Sequence, residues 1–153
     1  MPSDQARRSK VLFVCTGNTC RSVLAEYLGR QLFGSSVAFE SAGINPQPAM
    51  DAENAIFTLK NNFGIDASGH IPRNVRSLEM ADYDLIIALE KRAVAVAHAL
   101  GAPASKLKLW KIHDPWGPDL TEYDRASLEI RRKLQQLKAS GGGQVFFGHL
   151  GLP

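Results

Sequence analysis

Residues 10–33 constrain the chain more than any other stretch. Lys10–Val14 (KVLFV) is a short β-branched and aromatic run with no polar alternate, which predicts a strand buried on both faces. It breaks at Cys15 into the loop Thr16-Gly17-Asn18-Thr19. Helical spacing then follows over Ser22–Phe33, with Val23, Leu24, Tyr27, Leu28 and Leu32 on one side and Gly34 as the stop. A doubly buried strand that feeds a helix through a short loop is the opening unit of a parallel sheet.

The rest of the chain repeats that unit. Val37–Ser41 predicts a second strand, ended by Ala42-Gly43, and Asn45-Pro46-Gln47-Pro48 predicts a loop. Asp51 is placed to cap a helix whose apolar face is Ala55, Ile56, Leu59 and Phe63, with Gly64 as the stop. Ile65–Arg76 reads as a polar connection. Asp84–Leu89 predicts a third strand, Glu90–Leu100 a helix and Lys106–Trp110 a fourth strand. His113–Tyr123 is a loop rich in Pro, Gly and Asp, and Tyr123–Ala139 predicts an amphipathic helix broken by Gly141-Gly142-Gly143. The expected fold is a single α/β domain over residues 10–140: a four-stranded parallel sheet with helices on both faces and a phosphate-binding loop after the first strand. A flexible basic tail at 1–9 and a Gly-rich tail at 141–153 flank it. A length of 153 residues suits one core of this kind.

Composition narrows the function classes. A net charge of +3 is mildly basic, compatible with anionic substrates but no footprint for nucleic acid. No apolar stretch reaches the roughly 18–20 residues of a membrane span, and the polar Met1–Lys10 segment has no signal-peptide core behind it. The expectation is a cytoplasmic protein that engages neither nucleic acid nor membrane. The two cysteines, Cys15 and Cys20, are too few and too close for a disulfide framework, and His70, His98, His113 and His149 are too scattered for a metal site.

Both thiols flank one loop at the carboxyl end of the first strand, where parallel sheets bind ligands. The backbone N–H groups of Thr16, Gly17, Asn18 and Thr19 and a helix N-terminus converge there, a setting suited to an oxyanion such as phosphate. Gly17 is expected to permit the sharp turn of such a cradle. Arg21 offers a planar fork for two oxygens, and Cys15 lies at the base, where the same donors would stabilise a thiolate. Such a thiolate faces a bound phosphate as a nucleophile, and Ser22 can donate a hydrogen bond to its sulfur. Asp114, fixed by Pro115 after the fourth strand, lies at the same sheet edge and is the candidate proton donor.

These residues together, Cys15-Thr-Gly-Asn-Thr-Cys-Arg21-Ser22, Ser41-Ala42-Gly43, Asp82-Tyr-Asp-Leu-Ile86 and Asp114-Pro115, resemble the low-molecular-weight protein tyrosine phosphatase family over about Lys10 to Ala139. The resemblance implies hydrolysis of phosphotyrosine on protein substrates through a phospho-cysteine intermediate, with inorganic phosphate as product and no metal or other cofactor. It makes Cys15 the nucleophile, Arg21 the transition-state clamp and Asp114 the general acid and base. Thr16, Gly17, Asn18, Thr19, Cys20 and Ser22 bind substrate, with Trp116 beside the pocket. Asn18 holds the loop through Ser22, Ser41 and His70. Cys20 is the partner with which Cys15 forms a protective disulfide.

The chain departs from the family pattern in three places. Val23 replaces a common proline after Arg-Ser. Trp116-Gly117 stands where tyrosines often follow Asp-Pro, and the opposite pocket wall falls near Asn45. Three alternatives stay open. Thr19 is compatible with a phosphoarginine phosphatase. Arsenate reductases share this loop but pass their disulfide to cysteines outside it, which this chain lacks. A phosphocarrier of sugar transport shares the cysteine, but Arg21 and Asp114 favour hydrolysis. Outside the loop, Glu26 reads as an exposed helix residue, Asp119 and Asp124 as caps or first residues of the last helix, and His113 and His149 as surface histidines.

Overall fold

The computed structural model describes residues 8–141. Four strands alternate with four helices: β1 (Ser9–Cys15), α1 (Arg21–Phe33), β2 (Val37–Gly43), α2 (Glu53–Phe63), β3 (Leu85–Ala88), α3 (Lys91–Ala99), β4 (Leu107–Leu109) and α4 (Leu120–Gly141). The sheet order is β2-β1-β3-β4, and all three pairings are parallel. The α/β parallel architecture expected from the strand–helix alternation is the one observed.

β1 is central and splits the core by alternation. Val11, Phe13 and Cys15 face the side covered by α1, α2 and α4, with Leu24, Leu28, Leu59, Ile130 and Leu134. Leu12 and Val14 face the other side, with Ile86, Ala93 and Ala97, beneath α3. Each fully buried Leu, Ile or Phe contributes about 1.5–3 kcal/mol. Phe39 stacks on Phe13 at 5.8 Å, and α1 approaches this ring closely because a Cβ at Gly29 would lie 3.0 Å from it. The two faces together hold the end of β1 rigidly, and the loop that follows starts from a fixed point.

Several element boundaries differ from the sequence reading. Ser9, expected in the tail, opens β1 because it pairs with Val37. Asp51 does not cap α2. Pro48, at φ −58°, sets off a 3₁₀ turn over Ala49–Ala52 that contains Asp51, and the residue before α2 is Ala52. α4 starts at Leu120, earlier than expected, because the Asp119 carboxylate accepts hydrogen bonds from the Thr121 N–H at 3.0 Å and its hydroxyl at 2.6 Å. Asp124 lies inside that helix. Gly141, expected to break α4, is its last residue. The remainder of both predicted tails, and His149, lie outside the described residues. No helix among the described residues is long and apolar enough to cross a membrane.

Candidate active site

Cys15 ends β1 at the carboxyl edge of the sheet and is buried. The carbonyls of the loop that follows all turn outward. Cys15 O accepts from Ile44 N at 2.9 Å, Thr16 O from Asn45 N at 2.8 Å and Gly17 O from Gln47 N at 3.0 Å. Asn18 O is held by His70 Nε2 at 2.8 Å. In a planar trans peptide the next N–H opposes the carbonyl. The N–H groups of Thr16, Gly17, Asn18 and Thr19 therefore turn the other way, toward the loop's interior. The left-handed residue is Asn18, at φ 57°, not Gly17, whose φ is not positive. Gly17 serves closeness instead, because a Cβ there would lie 3.0 Å from Gln47 Cγ and 3.1 Å from Thr19 Oγ1. Gly43 explains the Ser-Ala-Gly segment, since a Cβ on it would lie 2.6 Å from Thr16 O.

Asn18 ties the loop to its surroundings. Its Nδ2 donates to Ser22 Oγ at 2.8 Å and to Ser41 Oγ at 2.9 Å, and its Oδ1 accepts from Arg73 N at 2.9 Å. Ser22 Oγ lies 2.9 Å from Cys15 Sγ. Ser41 and His70 thus stand behind the loop. Arg73 and Glu26 stand there too, which the sequence reading misses. Glu26 is not an exposed helix residue. It is buried, accepts from Ser41 Oγ and pairs with Arg30. The available signal is the spacing Ser22, Glu26, Arg30, which places all three on one face of α1.

Arg21 opens α1, where a cation meets the positive end of the helix dipole. It is nevertheless buried, and its guanidinium is fixed from three sides. Nη1 donates to Leu89 O at 3.3 Å and Ile112 O at 3.2 Å, and Nη2 donates to Glu90 Oε2 at 3.0 Å. Its Nε is buried with no hydrogen-bond partner among the described residues. The first turn of α1 carries no acidic residue, and Cys20 supplies no side-chain cap. An orphaned N–H of a guanidinium beside an uncapped helix N-terminus suits an oxyanion. Glu90, which also accepts from Thr16 Oγ1 at 2.5 Å, reads in the sequence only as the start of a helix. Its position two residues after β3, at the same sheet edge as Cys15, is the signal that could have found it.

A cavity of about 230 Å³ opens over the loop, lined by Cys15, Thr16, Gly17, Thr19, Cys20 and Arg21. Asp114 and Trp116 also line it. Asp114 Oδ2 lies 3.7 Å from Arg21 Nη2, while its Oδ1 accepts from Trp116 N at 3.1 Å. Trp116 is 68% exposed and stands at the mouth. Gln47 and Asp51 complete the lining, and Asn45 is not part of it. The turn set off by Pro48 carries Asp51 to the mouth, and the Asn45 N–H is taken up by the backbone bond to Thr16. Cys20 points away from solvent, with Sγ 3.3 Å from Tyr123 Oη. Burial pushes the Cys20 thiol up, more than its Tyr123 hydrogen bond pulls it down. Both cysteines are free thiols.

The arrangement brings a thiol with a hydroxyl partner, an anion cradle, a clamped guanidinium and a carboxyl group to one cavity. The profile of the low molecular weight phosphotyrosine protein phosphatase family matches residues 10–142. An arsenate reductase of Staphylococcus xylosus is 30% identical over 136 residues, covering 86% of this chain and 97% of that protein. The crystal structure of a low molecular weight protein tyrosine phosphatase from T. tengcongensis superposes with a TM-score of 0.74 at 30% identity, covering 86% of this chain and 99% of the other. A mutant of YwlE from Bacillus subtilis superposes at 0.76 and 27% identity, covering 86% and 97%. Another structure is of the YwlE arginine phosphatase as a cysteine-to-serine mutant with a phosphorylated active-site serine; it superposes at 0.74 and 27% identity, covering 86% and 94%.

Proposed function

The chain belongs to the low molecular weight phosphotyrosine protein phosphatase family, and from that premise we propose that it hydrolyses phosphotyrosine on protein substrates through a phospho-cysteine intermediate. The observation that carries this reading is the line of groups across the cavity. Cys15, Arg21 and Asp114 line it together, Ser22 Oγ lies 2.9 Å from Cys15 Sγ, and Asp114 Oδ2 lies 3.7 Å from Arg21 Nη2.

Cys15 Sγ attacks phosphorus as a thiolate. A P–S bond forms, and the bond to the phenolic oxygen breaks. Asp114 gives its proton to that oxygen. Arg21 and the inward N–H groups of the loop hold the equatorial oxygens, whose charge is spread in the transition state. The Asp114 carboxylate then takes a proton from water as the water attacks phosphorus. The P–S bond breaks, Ser22 donates to the departing sulfur, and inorganic phosphate leaves. Each step uses this chain's own residues, with no metal or other cofactor called on.

A second reading, phosphoarginine hydrolysis, is favoured by Thr19 on the cavity lining and by Asp51 facing it alongside Asp114. Two carboxylates at one mouth suit a cationic guanidinium leaving group. Arsenate reduction has less support. Cys15 and Cys20 are the chain's two cysteines, both in the loop, so an arsenic-bearing Cys15 would have to be resolved by Cys20 or by a thiol from outside. The deciding experiment measures phosphate release from phosphotyrosyl and phosphoarginyl peptides side by side, with acid quenching to trap phosphate on Cys15. Turnover of the phosphotyrosyl peptide with label on Cys15 is expected. Phosphate release from the phosphoarginyl peptide alone would replace the first reading with the second. No release from either, with thiol-dependent loss of arsenate, would replace both.

A further inference from the structure

A second cavity, of about 260 Å³, adjoins the one over the loop, and Asp51 and Trp116 belong to the lining of both. Met50, Glu53 and Asn54 line it from the start of α2, and Gly117 lines it from the loop after β4. Asn54 Nδ2 donates to Gly117 O at 3.0 Å and so joins the two sides. The groove is therefore formed before any ligand arrives. The two cavities differ in charge. The first contains the buried guanidinium of Arg21 with its unpartnered Nε. The second carries the carboxylates of Asp51 and Glu53 and no basic residue. Neither carboxylate has a hydrogen bond or ion pair among the described residues. Unneutralised carboxylates at this edge repel a phosphate that comes alone and attract a cation that comes with it. Two exposed side chains suit the same cation. Trp116, 68% exposed, offers an indole face to a guanidinium or ammonium group, and Met50 offers apolar surface to its methylene stem.

We propose that this groove receives an arginine or lysine side chain of the protein substrate, from a residue within two positions of the phosphorylated one. This rests on the reading of the first cavity as a phosphate-ester site. In an extended peptide, residues two apart leave the same face about 6–7 Å from one another, the spacing of adjoining side-chain pockets. A ligand that fills both cavities is thus anionic at one end and cationic at the other. The basic side chain neutralises Asp51 and Glu53 and packs on Trp116. A glutamate or aspartate in its place meets two like charges and is refused. The groove selects among phosphoproteins by the charge beside the phosphorylated residue, a choice that the phosphate cradle itself cannot make.

The test reads binding, so that it does not depend on turnover. Peptides carry the non-hydrolysable phosphonomethyl-phenylalanine in an uncharged background. Arginine, glutamine, norleucine or glutamate is placed at each of the two positions on either side of it. Each peptide is titrated into the full chain by calorimetry. At its best position, the arginine peptide is expected to bind about tenfold more tightly than the glutamine peptide, the sum of two weak ion pairs and one cation–π contact. The glutamate peptide should bind more weakly than the glutamine one. The arginine preference should shrink in about 0.5 M salt. Glu53 is exposed, and its variants probe the charge. Glu53→Gln should reduce the preference to about threefold, and Glu53→Lys should reverse the order so that glutamate is favoured over arginine. Equal affinities of the arginine and glutamine peptides for wild type would overturn the proposal. So would a norleucine peptide that matches arginine, which would make the groove an apolar pocket. An arginine preference untouched by Glu53→Lys, or no binding by any peptide, would overturn it too. Failure of the phosphatase reading would show separately, as the expected order of binding without hydrolysis of the matching phosphotyrosyl peptides.

Discussion

Glu90 Oε2 lies 3.0 Å from Arg21 Nη2 and accepts a second hydrogen bond, 2.5 Å long, from Thr16 Oγ1. One carboxylate oxygen thereby ties the arginine that closes the loop to the residue that opens it. It also places a negative charge beside the proposed phosphate site. Two opposed effects follow. The charge repels the ligand, and the hydrogen bonds hold the guanidinium plane that receives it.

Positioning should win, because a guanidinium displaced by about 1 Å costs on the order of 10² in rate, more than the screened repulsion of one extra charge. Glu90→Ala is expected to lower kcat about ten- to hundredfold, with a smaller change in KM. Steady-state kinetics on an aryl phosphate check this. A gain in kcat would mean that repulsion is the larger effect.

Cys20 bears on oxidation. Its thiol is buried, pushed up by that burial and hydrogen-bonded to Tyr123, so it is protonated at neutral pH. Peroxide should therefore reach Cys15 first and give a sulfenic acid. Cys20 then condenses with it, forming an S–S bond and releasing water. Wild type is expected to recover activity with dithiothreitol. Cys20→Ser should turn over but fail to recover, as its Cys15 proceeds to sulfinic acid. Equal recovery of the two proteins would leave Cys20 a packing residue.

Glu40 gives stability a pH dependence. Burial opposes its ionisation, but hydrogen bonds from Tyr83 and Arg73 and the nearby Lys10 charge outweigh that and hold the carboxyl below its ordinary value of 4.5. A depressed carboxylate stabilises the fold above its unfolded pKa, and that contribution is lost as pH falls through the folded one. Thermal melts of wild type and Glu40→Gln should differ at pH 7 and converge as the pH falls below 4.5 and through the lowered folded value. A difference that persists in acid would assign it to packing.

The parts of the fold legible in the sequence are those set by local pattern. β1 and β3 are apolar runs because both faces are buried, and α1 ends at Gly34 because glycine tolerates φ 60° there. The carboxyl-edge placement of Cys15 and Asp114 follows from strand order alone. Contacts made across the chain are not legible. Glu90 reaches Arg21 over 69 positions and Arg73 reaches Asn18 over 55, and no periodicity marks either. The sharp turn expected at Gly17 falls on the left-handed Asn18 instead, because glycine is only the default for that conformation. Here the asparagine side chain, held on both ends, stabilises it.

Asp114 is 56% exposed on its side chain, with one oxygen held by Trp116 N and the other turned toward Arg21. A group so placed can exchange protons with water between the two chemical steps. In the first step its contribution depends on the leaving group. A phenol of high pKa departs as a costly anion unless protonated, and removing such an acid typically costs about 10²–10⁴ in rate. An activated aryl phosphate leaves unaided. Asp114→Asn should therefore steepen the dependence of the rate on leaving-group pKa and slow phosphotyrosine far more than a nitrophenyl ester. In the proposed second step the same carboxylate activates water, so hydrolysis of the phospho-cysteine should slow for every substrate alike. Rapid mixing of Asp114→Asn with the nitrophenyl ester should then give a burst of phenol followed by a slower steady state. Rates across a series of aryl phosphates, for wild type and variant, measure the first effect. An unchanged slope would move the acid to another residue, with Asp51 on the same cavity lining as the next carboxylate to replace.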